Sequence, residues 1–197
     1  MAKVKLTKNE LKRQKDMLKR FQRYLPTLVL KKQQLQMVIR QVEAEVNKKL
    51  AEQKRLTDDL MQWVAVFGED LSLEDLVSIN GISTDTGNIA GIDIPVFEGI
   101  EFDQKEWDLF RYPLWVDAGV ERLKELLALD AEIRVLEKQK ELIEEELRIT
   151  TQRVNLFEKV KIPEAKENIR MIRIYLGDQQ TAAVVRGKIA KSNIVEV

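Results

Sequence analysis

The chain has 197 residues, of which 34% are charged and 6% aromatic, with 33 Lys/Arg balanced by 33 Asp/Glu and no histidine or cysteine. Lacking both, it has no Ser-His-Asp or Cys-His nucleophile system, no histidine general base, no disulfide and no zinc site of the usual kinds. No run approaches the ~18 uncharged apolar residues of a membrane span, and the opening "MAKVKLTKNELKRQK" lacks the apolar core of a secretory signal. A cytoplasmic protein without direct membrane insertion is the expectation.

In chain order, Thr7-Lys8-Asn9-Glu10 ahead of Leu11 reads as a capping box that opens a helix. A 3–4 apolar spacing then runs through Leu11, Leu18, Phe21, Leu25, Leu28, Leu35, Ile39, Val42, Val46, Leu56, Leu60, Trp63 and Phe67. Gln14, Lys32, Lys49 and Gln53 interrupt the seam, and Gly68 ends it. A pattern of that length predicts a coiled-coil arm over residues 1–67.

The texture changes from Leu76 to Phe102, which is rich in Ile, Val, Thr and Gly. A β-hairpin is predicted there, with "STDTGN" as turn, strand character at Ile82, Ile89, Ile92, Ile94 and Val96, and a bulge at Gly91. The aromatic cluster Trp107, Phe110, Tyr112 and Trp115 is expected to pack this head, residues 68–117, on the mouth of the coil. A second arm, 118–197, repeats the spacing from Val120 through Leu136, Ile143, Leu147 and Val154 to Phe157, and resumes at Ile169 and Ile172. The fold class is therefore mainly α: a long antiparallel two-helix coiled coil with a small central β-hairpin head.

Each arm carries a proline, Pro26 and Pro163, and the spacing slips near the second, as in a stutter. Setting the two prolines side by side puts the fold-back point near residue 94, Phe67 near Arg122 and Thr7 near Ala182. In that register the prolines form a shared irregularity, a bend or local unwinding of both arms.

Charge is segregated along the chain. Residues 1–32 hold 11 Lys/Arg against 2 Asp/Glu, residues 68–149 hold 8 against 21, and residues 150–197 hold 9 against 5. Lys12, Arg13, Lys19 and Arg20 in the first arm and Arg186 and Lys188 in the second form a basic tip, a candidate contact surface for a protein partner. Sparse aromatics among these cations argue against nucleic acid, and a membrane-surface helix is the other alternative weighed. The only Gly-Lys pair, Gly187-Lys188, has Ala182 and Ile189 where a phosphate loop needs Gly and Ser/Thr. Acidic groups such as Asp58-Asp59 and Glu144-Glu145-Glu146 read as solvated faces, so no catalytic residue, metal site or cofactor is expected.

Several segments together resemble the D subunit of the V-type (archaeal/bacterial A-type) rotary ATPases. They are "KLTKNELKRQKDMLK", "TLVLKKQQLQ", "NIAGIDIPVFE" and, most specifically, "RVNLFEKVKIPEAKENIRMIRIYL" with Arg153-Val154-Asn155, Glu158, Ile162-Pro163 and Asn168-Ile169. The resemblance covers essentially the whole chain in order. It implies a non-catalytic central rotor stalk whose termini enter a ring of catalytic A and regulatory B subunits. It also implies a small F subunit alongside the coil, a membrane-side rotor adaptor at the head, and a place in the cytoplasm peripheral to the cell membrane. A coiled-coil chaperone of the prefoldin kind is the alternative, but its arms expose apolar tips where these are basic. A nucleic-acid-associated coiled coil is the third reading.

Overall fold

The computed structural model describes residues 4–67, 76–105, 112–113 and 115–195. Helix α1 spans Lys8–Phe67, strand β1 Val77–Ile89, strand β2 Ile92–Gln104 and helix α2 Val116–Asn155. A π-helical segment, Leu156–Lys161, leads into helix α3, Ile162–Val195. The fold is thus mainly helical with one antiparallel β-hairpin, as the hydrophobic periods predict. By contacts the chain divides into two compact units, Gln33–Arg148 and Met1–Lys32 with Ile149–Val197.

In the unit Gln33–Arg148, Leu35, Ile39 and Val42 of α1 meet Leu136 and Ile143 of α2 in one buried cluster. Leu35 and Ile143 are wholly buried, each contributing about 1.5–3 kcal/mol by leaving water. Lys49 pairs with Glu132 and Lys140 with Glu43, both at 2.8 Å. The proline-aligned register sets Lys49 opposite Lys140 instead, so it is displaced here by about one heptad. A heptad slip leaves every apolar position on the seam and is invisible to spacing alone.

The hairpin packs against the helices toward its turn as well as at its base. Ile94 of β2 belongs to the same cluster as Leu35 and Ile143, with Ile89 and Ile92 packed against it. Its turn falls at Ala90 and Gly91, with φ of 55° and 80°, the pair of positive angles that a two-residue type I′ turn needs. The Asn88 side chain accepts from the Gly91 N–H and donates to Asp93 across the turn. "STDTGN" is therefore strand, and Gly91 is turn rather than bulge. Bulges occur instead at Asn80 of β1 and Glu98 of β2, where the register shifts between Ile79/Gly81 and Ser83/Thr84.

Those bulges decide which face each apolar residue takes. Ile92, Ile94, Val96, Ile100 and Phe102 alternate with polar or small residues, yet the extra residue at Glu98 carries the last two to the opposite face. Toward the turn, Ile92 and Ile94 enter the helical core. At the base, Val77 and Phe102 pack with Leu76, Tyr112, Trp115, Val116 and Val120. Trp107 and Phe110 lie outside the described residues. Pro95 has no N–H for the ladder, and counting from the closing pair Ile89–Ile92 its carbonyl points away from β1. Gln139 of α2, itself buried, donates to that carbonyl at 2.6 Å and so closes the outer edge of β2.

In the other unit, Thr7 caps α1: its hydroxyl accepts from the Glu10 N–H at 3.3 Å. The reciprocal half of the capping box is replaced, because the Glu10 carboxylate takes the Gln14 side-chain amide at 2.8 Å. That bond satisfies a polar residue buried in the seam. Val154, Ala165, Ile169 and Ile172 are the buried apolar residues of the C-terminal arm in this unit, and Phe21 meets Phe157 at 5.3 Å between ring centroids.

Candidate partner-binding surface

Helix class changes in one arm only. From Leu156 to Lys161 the turns widen to π, and Ile162 donates to the Phe157 carbonyl five residues back. Pro163 follows directly. In an α-helix its ring would crowd the Lys159 carbonyl, and the wider turn relieves that crowding. Helix α1 keeps its class through Pro26, which is exposed, as is Gln22, whose carbonyl loses its donor to the ring and is open to water. The expectation of an irregularity in both arms thus meets a π-turn in one and a continuous helix in the other.

Around this segment most side chains point outward. Val154 is buried, while Arg153, Asn155 and Glu158 are exposed, and Leu156 and Val160 are 45% and 49% exposed. No residue of the π-turn is buried. Beyond Leu176 of α3 every described side chain except Ala182 is exposed, including Val184, Val185, Ile189 and Ile194. Gly177 and Gly187, each costing a helix about 1 kcal/mol against Ala, do not interrupt it. An exposed helix of that length with four bare β-branched side chains has the surface of a segment that packs against something else.

The six predicted tip cations are all exposed. Lys12, Arg13 and Arg20 line a shallow cleft with Asn9, Asp16 and Met17, and Arg13 reaches Glu10 at 3.8 Å. Lys19 lines a second cleft with Lys15, Leu18, Gln22, Lys166, Ile169 and Arg173. Arg186 and Lys188 lie on the bare end of α3. Sequence reasoning missed Lys15, Lys166 and Arg173, although Lys15 and Lys19 stand four apart and Lys166 and Arg173 seven apart, the spacings that share a helix face. Among the described residues this second cleft is walled by four cations and no carboxylate, so it offers an anionic surface charge-assisted bonds on a partly apolar floor.

The acidic side chains nearby are engaged within their own helix. Arg170 bonds both oxygens of Glu167, which holds that carboxyl below its ordinary value. In the other unit Arg148 does the same to Glu145. The bond from Glu132, outweighing partial burial, raises the Lys49 ammonium above its ordinary 10.5. Among the described residues no helix is long and apolar enough to cross a membrane.

The family model for the D subunit of ATP synthase matches residues 10–192. The chain belongs to the ATP synthase D-subunit family. It is 52% identical over 196 residues to the V-type ATP synthase D subunit of Borreliella burgdorferi, covering 100% of this chain and 97% of that relative. It is also 34% identical to the Chlamydia pneumoniae protein of the same name, covering 97% and 93%. The Chlamydia muridarum protein is 32% identical, covering 98% and 97%. For a member of this family, the surfaces that matter are those that meet other subunits.

Proposed function

We propose that this chain is the central rotor shaft of a V-type ATP synthase or ATPase, a non-catalytic subunit that couples nucleotide turnover in the catalytic ring to ion translocation across the membrane. The observation that carries the reading is the bare α3 end beside the basic clefts of the N-terminal arm, in a family of ATP synthase subunits. The ring of A and B subunits receives both termini, with the four cations of the second cleft facing acidic surfaces. The F subunit docks along the helices, and a rotor adaptor joins the shaft to the membrane side. The chain works in the cytoplasm at the membrane periphery, and residues 1–67, 68–117 and 118–197 serve as two arms and a connecting head.

The physical requirement is differential contact. A shaft touching three catalytic interfaces identically biases none of them, whereas one with unequal faces stabilises a different conformation at each. The one-sided π-turn at Leu156–Lys161 and the cationic cleft supply such inequality. Torque transmission needs paired helices, and Leu35, Ile143 and Ile172, all wholly buried, are tightly packed within their own units.

The test is co-purification of the tagged full chain with A and B subunits from cells expressing the complex. Reversing Lys12, Arg13, Lys19 and Arg20 to Glu lowers recovery of ring subunits by tenfold or more at about 50 mM salt. The deficit narrows as salt rises and screens the repulsion. Recovery indifferent to the reversal at every salt concentration sinks the basic contact, and failure of the unaltered chain to bring down A and B sinks the shaft.

A further inference from the structure

Asn80-Gly81 is the only Asn-Gly step in the chain. The carboxamide carbon of an asparagine is an electrophile, and attack on it by the next residue's backbone nitrogen closes a five-membered imide ring. Glycine in the next position favours that closure, because it has no Cβ to crowd the nitrogen and its backbone turns freely. Every other asparagine here precedes a larger residue: Glu10, Lys48, Ile89, Leu156, Ile169 or Ile194.

A regular strand opposes the reaction, since its ladder holds the backbone extended and keeps that nitrogen away from the side-chain carbon. Asn80 escapes this restraint. It is the one residue of β1 without a partner on β2, the surplus residue between the pairs Ile79–Phe102 and Gly81–Glu101. Its side chain is exposed to water, and a Cβ placed on Gly81 would meet nothing within 4 Å, so the ring has room to form. Asn88, in the same strand, is the opposite case. Its amide donates to Asp93 and accepts from the Gly91 N–H, and the following Ile89 is β-branched and paired with Ile92.

We propose that Asn80 is a site of spontaneous deamidation in the folded chain. The Gly81 nitrogen gives up its proton and bonds to the Asn80 Cγ, the bond from Cγ to the amide nitrogen breaks, and ammonia leaves carrying a proton from solvent. Water then opens the ring at either carbonyl. Breaking the new bond at Cγ gives aspartate, and breaking the original peptide bond gives isoaspartate, whose main chain runs through Cβ and Cγ. The balance is one water in and one ammonia out, with no electron transferred. Isoaspartate lengthens β1 by one methylene where the strand already carries a surplus residue, so the pairs on either side keep their register. Either product adds a carboxylate to a stretch, Leu76 to Gln104, that already holds Asp85, Asp93, Glu98, Glu101 and Asp103 and no Lys or Arg.

The reaction needs no other subunit, so its outcome is independent of the shaft reading. The purified full chain is aged in mildly alkaline buffer made with heavy-oxygen water, then digested, and mass spectrometry follows each asparagine. Isoaspartate is told from aspartate by methylation with an isoaspartyl methyltransferase. Asn80 is expected to convert roughly tenfold faster than Asn88, with isoaspartate the larger product and one heavy oxygen in its carboxyl group. Unfolding the chain in urea accelerates Asn80 by no more than about tenfold, because the bulge already leaves it unrestrained. Gly81→Ala, which the open space accommodates, slows conversion by about tenfold. The proposal is overturned by conversion at Asn80 no faster than at Asn88, by aspartate without isoaspartate, by a far larger acceleration in urea, or by an unchanged rate in Gly81→Ala. If circular dichroism shows that Gly81→Ala does not fold, Asn80→Gln takes its place. Its longer side chain must close a six-membered ring, so loss of the heavy-oxygen label from that peptide supports the site and an undiminished label overturns it.

Discussion

The two compact units are built from similar helices and solve burial differently. In Gln33–Arg148 a third element, the hairpin, supplies Ile94 to the helical cluster, so Leu35 and Ile143 are closed in on more than one side. In the unit of Met1–Lys32 with Ile149–Val197 there is no sheet among the described residues, and helices alone bury Ile172, Ile169 and Val154. There the seam also admits Gln14, Thr150 and Asn168. A helix pair can bury a narrow stripe and no more. The first unit is a small core, and the second keeps apolar and cationic side chains at the surface. Trp115 is buried in Gln33–Arg148 and the other unit's sequence holds no tryptophan, so fluorescence follows Gln33–Arg148 while far-ultraviolet circular dichroism follows both.

The contrast breaks first at its buried isoleucines. Ile143→Ala is expected to cost about 3–4 kcal/mol, because neighbours on several sides cannot collapse into the cavity. Ile172→Ala, equally buried, should cost about 2 kcal/mol, since a two-helix seam relaxes and borders solvent. Urea denaturation followed by fluorescence and dichroism measures both, and equal losses would remove the distinction between units. Next in size, Gly87→Ala places a Cβ 2.8 Å from a Val96 methyl. It should cost about 1–2 kcal/mol and be largely rescued by Val96→Ala in the double variant. Without rescue the clash is not the cause.

In the helix-only unit, the Thr150 hydroxyl is buried without a hydrogen-bond partner. Thr150→Val keeps the shape and should gain about 1 kcal/mol, read as a higher dichroism midpoint with the fluorescence midpoint unmoved. A loss there would mean that the hydroxyl finds a partner in solution. The smallest effect is the alkaline limb of the Lys49–Glu132 pair. Because the folded-state ammonium value is raised above 10.5, its contribution is complete below that pH and lost as pH climbs through the raised value. Lys49→Met should therefore flatten the fall of the fluorescence midpoint above pH 10.5 and leave its neutral value nearly unchanged.

Much of this fold can be read from periodicity. The capping residue Thr7 and the hairpin's place between two helical arms follow from local pattern. Register does not, because a heptad repeat looks the same after a slip of seven, and only specific pairs such as Lys49–Glu132 break the tie. The hairpin turn is hidden for a different reason. "STDTGN" has turn composition, but those residues are polar because the middle of β1 faces water. Burying Ile92 and Ile94 while pairing them with Ile89 and Gly87 forces the reversal onto Ala90-Gly91, even though Ala90 takes a left-handed angle there. Of the surface residues, the cations are legible by composition, but their division between two clefts depends on which helix face each occupies.

The six residues from Leu156 to Lys161 have a mechanical meaning as well as a geometric one. A helical arm loaded in torsion deforms where its internal bracing is poorest, and a π-turn with no buried side chain, followed by a proline that donates no bond, is braced less than the α-helix on either side. Stiffness in series is governed by the softest link. Twist carried along this arm therefore gathers at one short, fixed address instead of spreading over its whole length.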